Sequence, residues 1–253
     1  MSLQDEIAES LDGTVELLPY LPDLLQDLFA IGCSPDSILE VVRPLGLDRR
    51  HRALDLACGK GAAGLTLAQE LGVFVRGVDA FEPFVLEARR RAVEMHLDSR
   101  CVFELGDVRE VVKAGDDTDL VIYASVGMLG RHDRCAESLR RCVRAGGYIV
   151  IDDGFLAEDV PLGSGYGHYA TYEETRRRLT ANAIELVAEK LGDSIETAES
   201  NAAMTKAIRM RAAELSREHP EHEPLLRAYV GRQEEECAKL ARWFRPAVWA
   251  LRT

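Results

Sequence analysis

Residues 53–64, Ala-Leu-Asp-Leu-Ala-Cys-Gly-Lys-Gly-Ala-Ala-Gly, constrain this chain more than any other stretch. A short apolar run carries an acid, Asp55, breaks into Gly59-Lys60-Gly61, and then takes up a helical pattern. Glycines at a strand-to-helix turn let a ligand lie against bare backbone, and the first turn of the helix offers unpaired N–H groups. The stretch therefore calls for a β-strand, a tight turn and a helix, with a nucleotide-like cofactor at the turn. The glycines alone do not choose the cofactor. Gly59-x-Gly61-x-x-Gly64 also fits a dinucleotide fingerprint, with Asp79 downstream where a ribose-binding acid belongs. Asp55 points elsewhere, because a carboxylate at the mouth of the turn repels a diphosphate and suits a ligand that carries an ammonium group.

From Arg52 onward, strand and helix patterns alternate. Strands are expected at 52–57, 73–78, 101–105, 118–124 and 147–152, and helices at 62–71, 82–96, 108–113 and 132–145. Apolar strands separated by amphipathic helices imply a mainly parallel sheet covered on both faces, with ligands beyond the carboxyl ends of its strands. Asp55, Asp79 and Asp107 all fall at that edge. Before the alternation, residues 1–48 read as a helical cap. Ser2 and Asp5 form a capping box there, Pro22-Asp23 opens a second helix that stops at Gly32, and Ser34-Pro35-Asp36 opens a third. After it come a helix at 172–182, a sixth strand at 184–191, two long helices within about 193–244, and a closing strand at 247–251. With no repeat, low-complexity tract or linker, the expectation is one domain, with a core at 49–155 and a C-terminal part at 156–253.

Asp55-Leu-Ala-Cys-Gly59-Lys-Gly61 resembles the first motif of class I methyltransferases that use S-adenosylmethionine (SAM). Four further stretches resemble the family's later motifs in order. They are Val75-Arg-Gly-Val-Asp79, Phe103-Glu-Leu-Gly106-Asp107-Val108, Asp119-Leu-Val-Ile-Tyr-Ala124, and Arg144-Ala-Gly146-Gly147-Tyr-Ile-Val-Ile-Asp152. The resemblance covers about residues 50–155. It implies a three-layer α-β-α sandwich around a mainly parallel seven-stranded sheet, with the last strand antiparallel; the helical pair expected at about 193–244 then reads as an insertion between strands six and seven. It also implies cofactor roles. Asp55 takes the SAM ammonium, and Ala57, Gly59 and Gly61 line the methionine moiety. Asp79 accepts from the ribose hydroxyls, Ala80 and Phe81 pack on adenine, Asp107 accepts from the adenine amine beside Val108, and the carbonyl near Ala124 meets the ammonium again. Ala57 stands where glycine is common in the family, so the backbone there must tolerate a β-carbon.

Composition limits the partners. The formal net charge of −12 opposes unaided binding to nucleic acid or to an anionic membrane surface. The basic runs Arg89-Arg90-Arg91 and Arg176-Arg177-Arg178 lie in helical patterns and read as solvated faces. Six scattered cysteines form no Cys-x-x-Cys pair, unlike a metal knuckle or a disulfide framework. Cys58 reads as a small residue tolerated by the tight turn. No apolar run is long enough to span a bilayer and no signal peptide is visible, so the expected location is the cytoplasm. A small-molecule substrate fits best. The C-terminal helical pair reads either as a lid or as a homodimer surface.

A methyl group on a sulfonium is already activated, so transfer depends mainly on holding the nucleophile in line. A base is needed only where the acceptor carries a proton near its own pKa. His168, in a Gly- and Tyr-rich loop, is the first candidate for that base and Asp153 the second. No metal is expected: Asp152 and Asp153 are neighbours on a strand and point to opposite sides, and no third ligand is evident. His219 and His222, interrupted by Pro220, read as surface. A SAM-binding sensor without catalysis, and less favourably a dinucleotide oxidoreductase, stay open. The methyl acceptor is not legible.

Overall fold

The expected strands pair into one seven-stranded sheet. The structure is a computed structural model, and it describes residues 2–157, 160, 166, 167 and 169–253. Its strands are β1 (Arg52–Leu56), β2 (Phe74–Asp79), β3 (Cys101–Leu105), β4 (Thr118–Ala124), β5 (Val143–Leu156), β6 (Glu185–Leu191) and β7 (Phe244–Arg252). The helices are α1 (Leu3–Ser10), α2 (Leu21–Leu24), α3 (Pro35–Val42), α4 (Ala62–Leu71), α5 (Glu82–Glu94), α6 (Val108–Ala114), α7 (His132–Leu139), α8 (Tyr172–Leu179), α9 (Ser194–Glu218) and α10 (Glu223–Trp243). Spatial order is β3-β2-β1-β4-β5-β7-β6. β1 pairs in parallel with β2 and β4, β2 with β3, and β4 with β5. β7 runs antiparallel to β6, and at its end the Thr253 carbonyl and amide bond to Gly146 and Gly147 of β5.

The chain forms two compact units. One is Ala30–Leu191 with Pro246–Thr253, and the other is Met1–Phe29 with Gly192–Arg245. In the first unit the central strands are buried on both faces. Leu54, Leu56, Val121, Tyr123, Ile149 and Ile151 point toward α6, α7 and α8 and form one core with Trp249 and Leu251. The alternate residues on the same strands, such as Asp55 and Ile122, face the other way, as period-two alternation requires. The crossover from β1 to β4 reverses the direction of strand order, so a crevice opens at the carboxyl ends of those two strands.

In the second unit α9 and α10 pair antiparallel. Thr205, Ile208, Ala212 and Leu215 of α9 and Leu226 and Tyr229 of α10 are buried. Thr205 Oγ1 lies 3.3 Å from Cys237 Sγ, and Arg211 binds Asp27 through two nitrogens at 2.6 and 2.8 Å. Asp193 caps α9 by accepting from Ile195 and Glu196. The capping box at Ser2 and Asp5 forms as its spacing predicts.

Two helices are shorter than their sequence patterns. The expected helix at 132–145 ends at Leu139, and the chain is already in β5 at Val143. Val143 pairs with Thr118, whose Oγ1 also donates to the Cys142 carbonyl, so strand pairing overrides the helical periodicity. The helix opened by Pro22 keeps only four residues, Leu21–Leu24.

Candidate functional site

The turn after β1 is shaped by backbone that side chains tolerate poorly. Ala57, Gly59 and Gly61 have φ of 56°, 53° and 81°. A non-glycine residue held there costs on the order of 1–3 kcal/mol, and Ala57 occupies such a position. The glycines serve different ends. A β-carbon on Gly61 would stand 2.8 Å from the Phe103 ring, so this glycine permits close packing of the turn on β3. A β-carbon on Gly59 would meet nothing within 4 Å, so the turn presents bare backbone to open space there. Lys60 between them is buried, with its ammonium 5.5 Å from the centre of the Phe84 ring.

Two aspartates hold this turn. Asp55 is 2% exposed, and its Oδ2 accepts from the Gly64 amide at 3.0 Å, in the first turn of α4. Asp79 Oδ2 accepts from the Gly59 amide at 2.8 Å, and its Oδ1 accepts from the Phe81 amide at 2.8 Å. Asp79 therefore ties the tip of the turn to the start of α5. Burial pushes the Asp55 carboxyl up to about 7, against the Gly64 hydrogen bond that favours its charge. Burial also raises Asp79, opposed by its amide donors.

Asp107 sits differently. It caps α6, with Oδ1 accepting from the Arg109 amide at 2.8 Å, and the Arg109 guanidinium takes both of its oxygens. Those hydrogen bonds hold its carboxyl below the usual carboxylate range. Val108 is buried, and Phe81 packs edge-to-face on Phe84 at 4.8 Å, with only a small part of its ring exposed. Ala80 is half-buried.

The ends of β4 and β5 complete the edge. Ala124 pairs with Asp152, and the Ser125 amide donates to the Asp152 carbonyl at 2.7 Å. Asp152 is 4% exposed and accepts at Oδ2 from the Ser34 amide at 2.6 Å. That bond fastens residues 32–34 across the strand ends, where Ser125 Oγ also donates to the Gly32 carbonyl. Burial, with the charge of Asp153 adding to it, pushes the Asp152 carboxyl up to about 7. The Cys33 thiol is raised by burial and by the charges of both Asp152 and Asp55.

Asp153 faces the other side of the sheet, as strand alternation predicts. Its Oδ2 lies 3.2 Å from Nε2 of the buried His132, without hydrogen-bond geometry, and His132 packs edge-on against Trp249 at 5.6 Å. His168 lies outside the described residues. Among the described residues, no group of three His, Cys, Asp or Glu side chains is placed to hold a metal ion.

The edge thus brings together the Gly59 turn, Asp55, Asp79, Ala124 and Asp152. Residues 47–190 match the family model described as "Methyltransferase domain". The chain belongs to this methyltransferase-domain family. The methyltransferase GfsG of Streptomyces halstedii is 31% identical over 111 residues, which are 43% of this chain and 40% of that protein. The match therefore spans less than half of GfsG. Among solved structures, a SAM-dependent methyltransferase from Thiobacillus denitrificans, in complex with S-adenosyl-L-homocysteine, has a TM-score of 0.78 at 19% identity, covering 92% of this chain and 97% of that one. A SAM-dependent methyltransferase from Geobacter sulfurreducens, in complex with the same molecule, has a TM-score of 0.78 at 21% identity, with the same coverage. These two likenesses are likenesses of fold.

Sequence reasoning missed three parts of the site. The segment Gly32-Cys33-Ser34 reads locally only as a helix stop and a helix start. Lys60 reads as a turn residue, although an apolar wall shelters it. His132 reads as a polar helix position, and only the aromatic partners brought by other elements make it a core residue.

Proposed function

We propose that this methyltransferase-domain chain transfers a methyl group from SAM to a small-molecule acceptor. The observation that carries this is the pair of strand-end acids, Asp55 and Asp79, gripping a turn whose Gly59 backbone faces open space. An acid-lined crevice favours a ligand with an ammonium, a sulfonium and ribose hydroxyls over a diphosphate. SAM supplies a methyl group bonded to positively charged sulfur.

In this reading Asp79 accepts from the ribose hydroxyls, and Asp55 places its charge below the ammonium while holding the turn through Gly64. The Ala124 carbonyl meets the ammonium, Ala57, Gly59 and Gly61 border the methionine moiety, and Ala80, Phe81, Asp107 and Val108 border the adenine. His168 stays the candidate for a base, whereas Asp153, turned to His132 on the opposite face of the sheet, is set aside. The proposal extends to a cytoplasmic location and to a homodimer through the C-terminal helices, where Ile195 and Met210 of α9 are exposed. No described helix is long and apolar enough to cross a membrane.

Calorimetric titration with SAM, S-adenosylhomocysteine and NADH tests the cofactor. Binding of the first two and not the third is expected, and binding of NADH alone overturns the reading. Radiolabelled transfer from SAM into a metabolite extract tests catalysis. Label in a small-molecule fraction is expected, and label in none favours a sensor. Light scattering on the eluting protein reads the dimer, and a monomer mass removes it.

A further inference from the structure

We propose that Asp152 tunes this site toward the charged cofactor and away from its demethylated product, by setting a buried carboxylate beside the sulfonium. The inference rests on the SAM reading and deepens it. With the ribose at Asp79 on β2, the methionine moiety crosses the Gly59 turn toward β4, which brings the sulfur to the carboxyl ends of β1 and β4. Asp152 stands on the next strand, opposite Ala124.

Register puts Asp152 on the same face as Asp55. Asp55 pairs with Ile122 and Ile122 with Val150, so Asp152 lies two residues nearer the carboxyl edge. Two strands sideways and two residues along separate the Cα atoms by roughly 12 Å. Both side chains are buried, so the crevice has an acid on each side.

Asp152 is also uncommitted. Its Oδ2 takes the Ser34 amide, and no described residue donates to Oδ1. No described Lys or Arg forms an ion pair with it. Asp107, by contrast, spends its charge on Arg109.

When the methyl group leaves, the electron pair of the broken carbon–sulfur bond stays on sulfur, and the sulfonium becomes a neutral thioether. A carboxylate that has lost its countercharge in a buried site then holds the product less well. At an effective dielectric near 20 and a separation of about 8–10 Å, one such interaction changes relative affinity on the order of 10-fold.

The competing account is that Asp152 only anchors Ser34. Asp152→Asn separates the two, because the amide oxygen still accepts from the Ser34 N–H while the charge is gone. The full chain and this variant are titrated with SAM and with S-adenosylhomocysteine. The expected result is that the SAM-to-product affinity ratio falls about 10-fold in the variant, with product affinity within about 2-fold of the parent. An unchanged ratio overturns the proposal, as does an equal loss of both ligands, which assigns Asp152 to anchoring alone. Asp152→Glu, which keeps the carboxylate, is the second variant and is expected to hold the parent ratio within about 2-fold; a fall of about 10-fold in that ratio also overturns the proposal. Failure of the parent chain to bind either ligand is a different result and defeats the SAM reading itself.

Discussion

Two corners of one sheet edge treat their acids in opposite ways. At the β1–β2 corner, Asp55 and Asp79 are buried, and each bonds to backbone amides of the glycine turn or of a helix start. At the β3–α6 corner, Asp107 is more exposed and is clasped by Arg109. Amides satisfy hydrogen bonds without cancelling charge, whereas a guanidinium cancels it. The first corner therefore keeps acids whose charge, once ionised, is left for a cationic ligand, and the second offers a rigid cap with little net charge. The same residue type at three successive strand ends thus does two kinds of work.

The largest effect that would break this comparison is expected at Asp79. Asp79→Ala removes two amide acceptors and the ribose acceptor together. Charge-assisted hydrogen bonds contribute roughly 1.5–3 kcal/mol each, so SAM affinity should fall at least about 10-fold in a calorimetric titration. An unchanged affinity would remove Asp79 from the site and leave it a structural tie.

Next comes pH. The folded-state carboxyls of Asp55 and Asp152 are both pushed up to about 7 from an ordinary value of 3.8. Such groups hold their protons more tightly when folded, so their favourable contribution to stability is complete below about pH 4 and is lost as pH rises through 7. The melting temperature should therefore fall mainly between about pH 4 and 7 and level off above. SAM affinity should move the other way, rising up to about 10-fold from pH 6 to 8 as the competent, ionised fraction grows. Titrations at several pH values decide this, and a flat profile would mean that the buried acids are already ionised or do not face the ligand.

The two glycines of the turn sharpen the same contrast. Gly61→Ala drives a β-carbon into Phe103 at a left-handed position and should cost about 1–3 kcal/mol of unfolding free energy. Gly59→Ala meets no atom and should cost less stability while weakening SAM binding more. Denaturant melts paired with titrations separate the two, and equal behaviour would contradict the division between packing and ligand access. The smallest effect belongs to Asp107→Asn. An ion pair this exposed contributes about 0–1 kcal/mol, so SAM affinity should change less than about 3-fold. A larger loss would show that Asp107 binds the adenine directly and would erase the difference between the corners.

Much of the α/β unit was legible because its signals are local. Apolar runs of strand length, the amphipathic helices between them, and the cap at Ser34 all act over a few residues. The misread segment at 140–145 shows the limit, since a helical pattern there yields to pairing between Val143 and Thr118 from another part of the chain. The site divides along the same line. That acids stand at the carboxyl ends of β1, β2 and β3 follows from strand length and position. The remote partners do not, because a donor such as Gly59, 20 positions from Asp79, leaves no local signature, although Arg109 beside Asp107 does lie close in the chain.

From its residues alone this protein was committed to a parallel α/β sheet with a glycine turn and an acidic strand edge, because periodicity and turn chemistry are properties of neighbours in the chain. Tertiary structure alone decided that Ser34 reaches Asp152 across 118 positions and that Asp153 turns away to His132. Arg109 meets Asp107 from only two residues away, a local pairing, whereas packing alone buries Asp55 and ties Asp79 to the Gly59 amide 20 positions back. Burial and remote hydrogen-bond donors set the charge of an acid, and both exist only once distant segments have packed together.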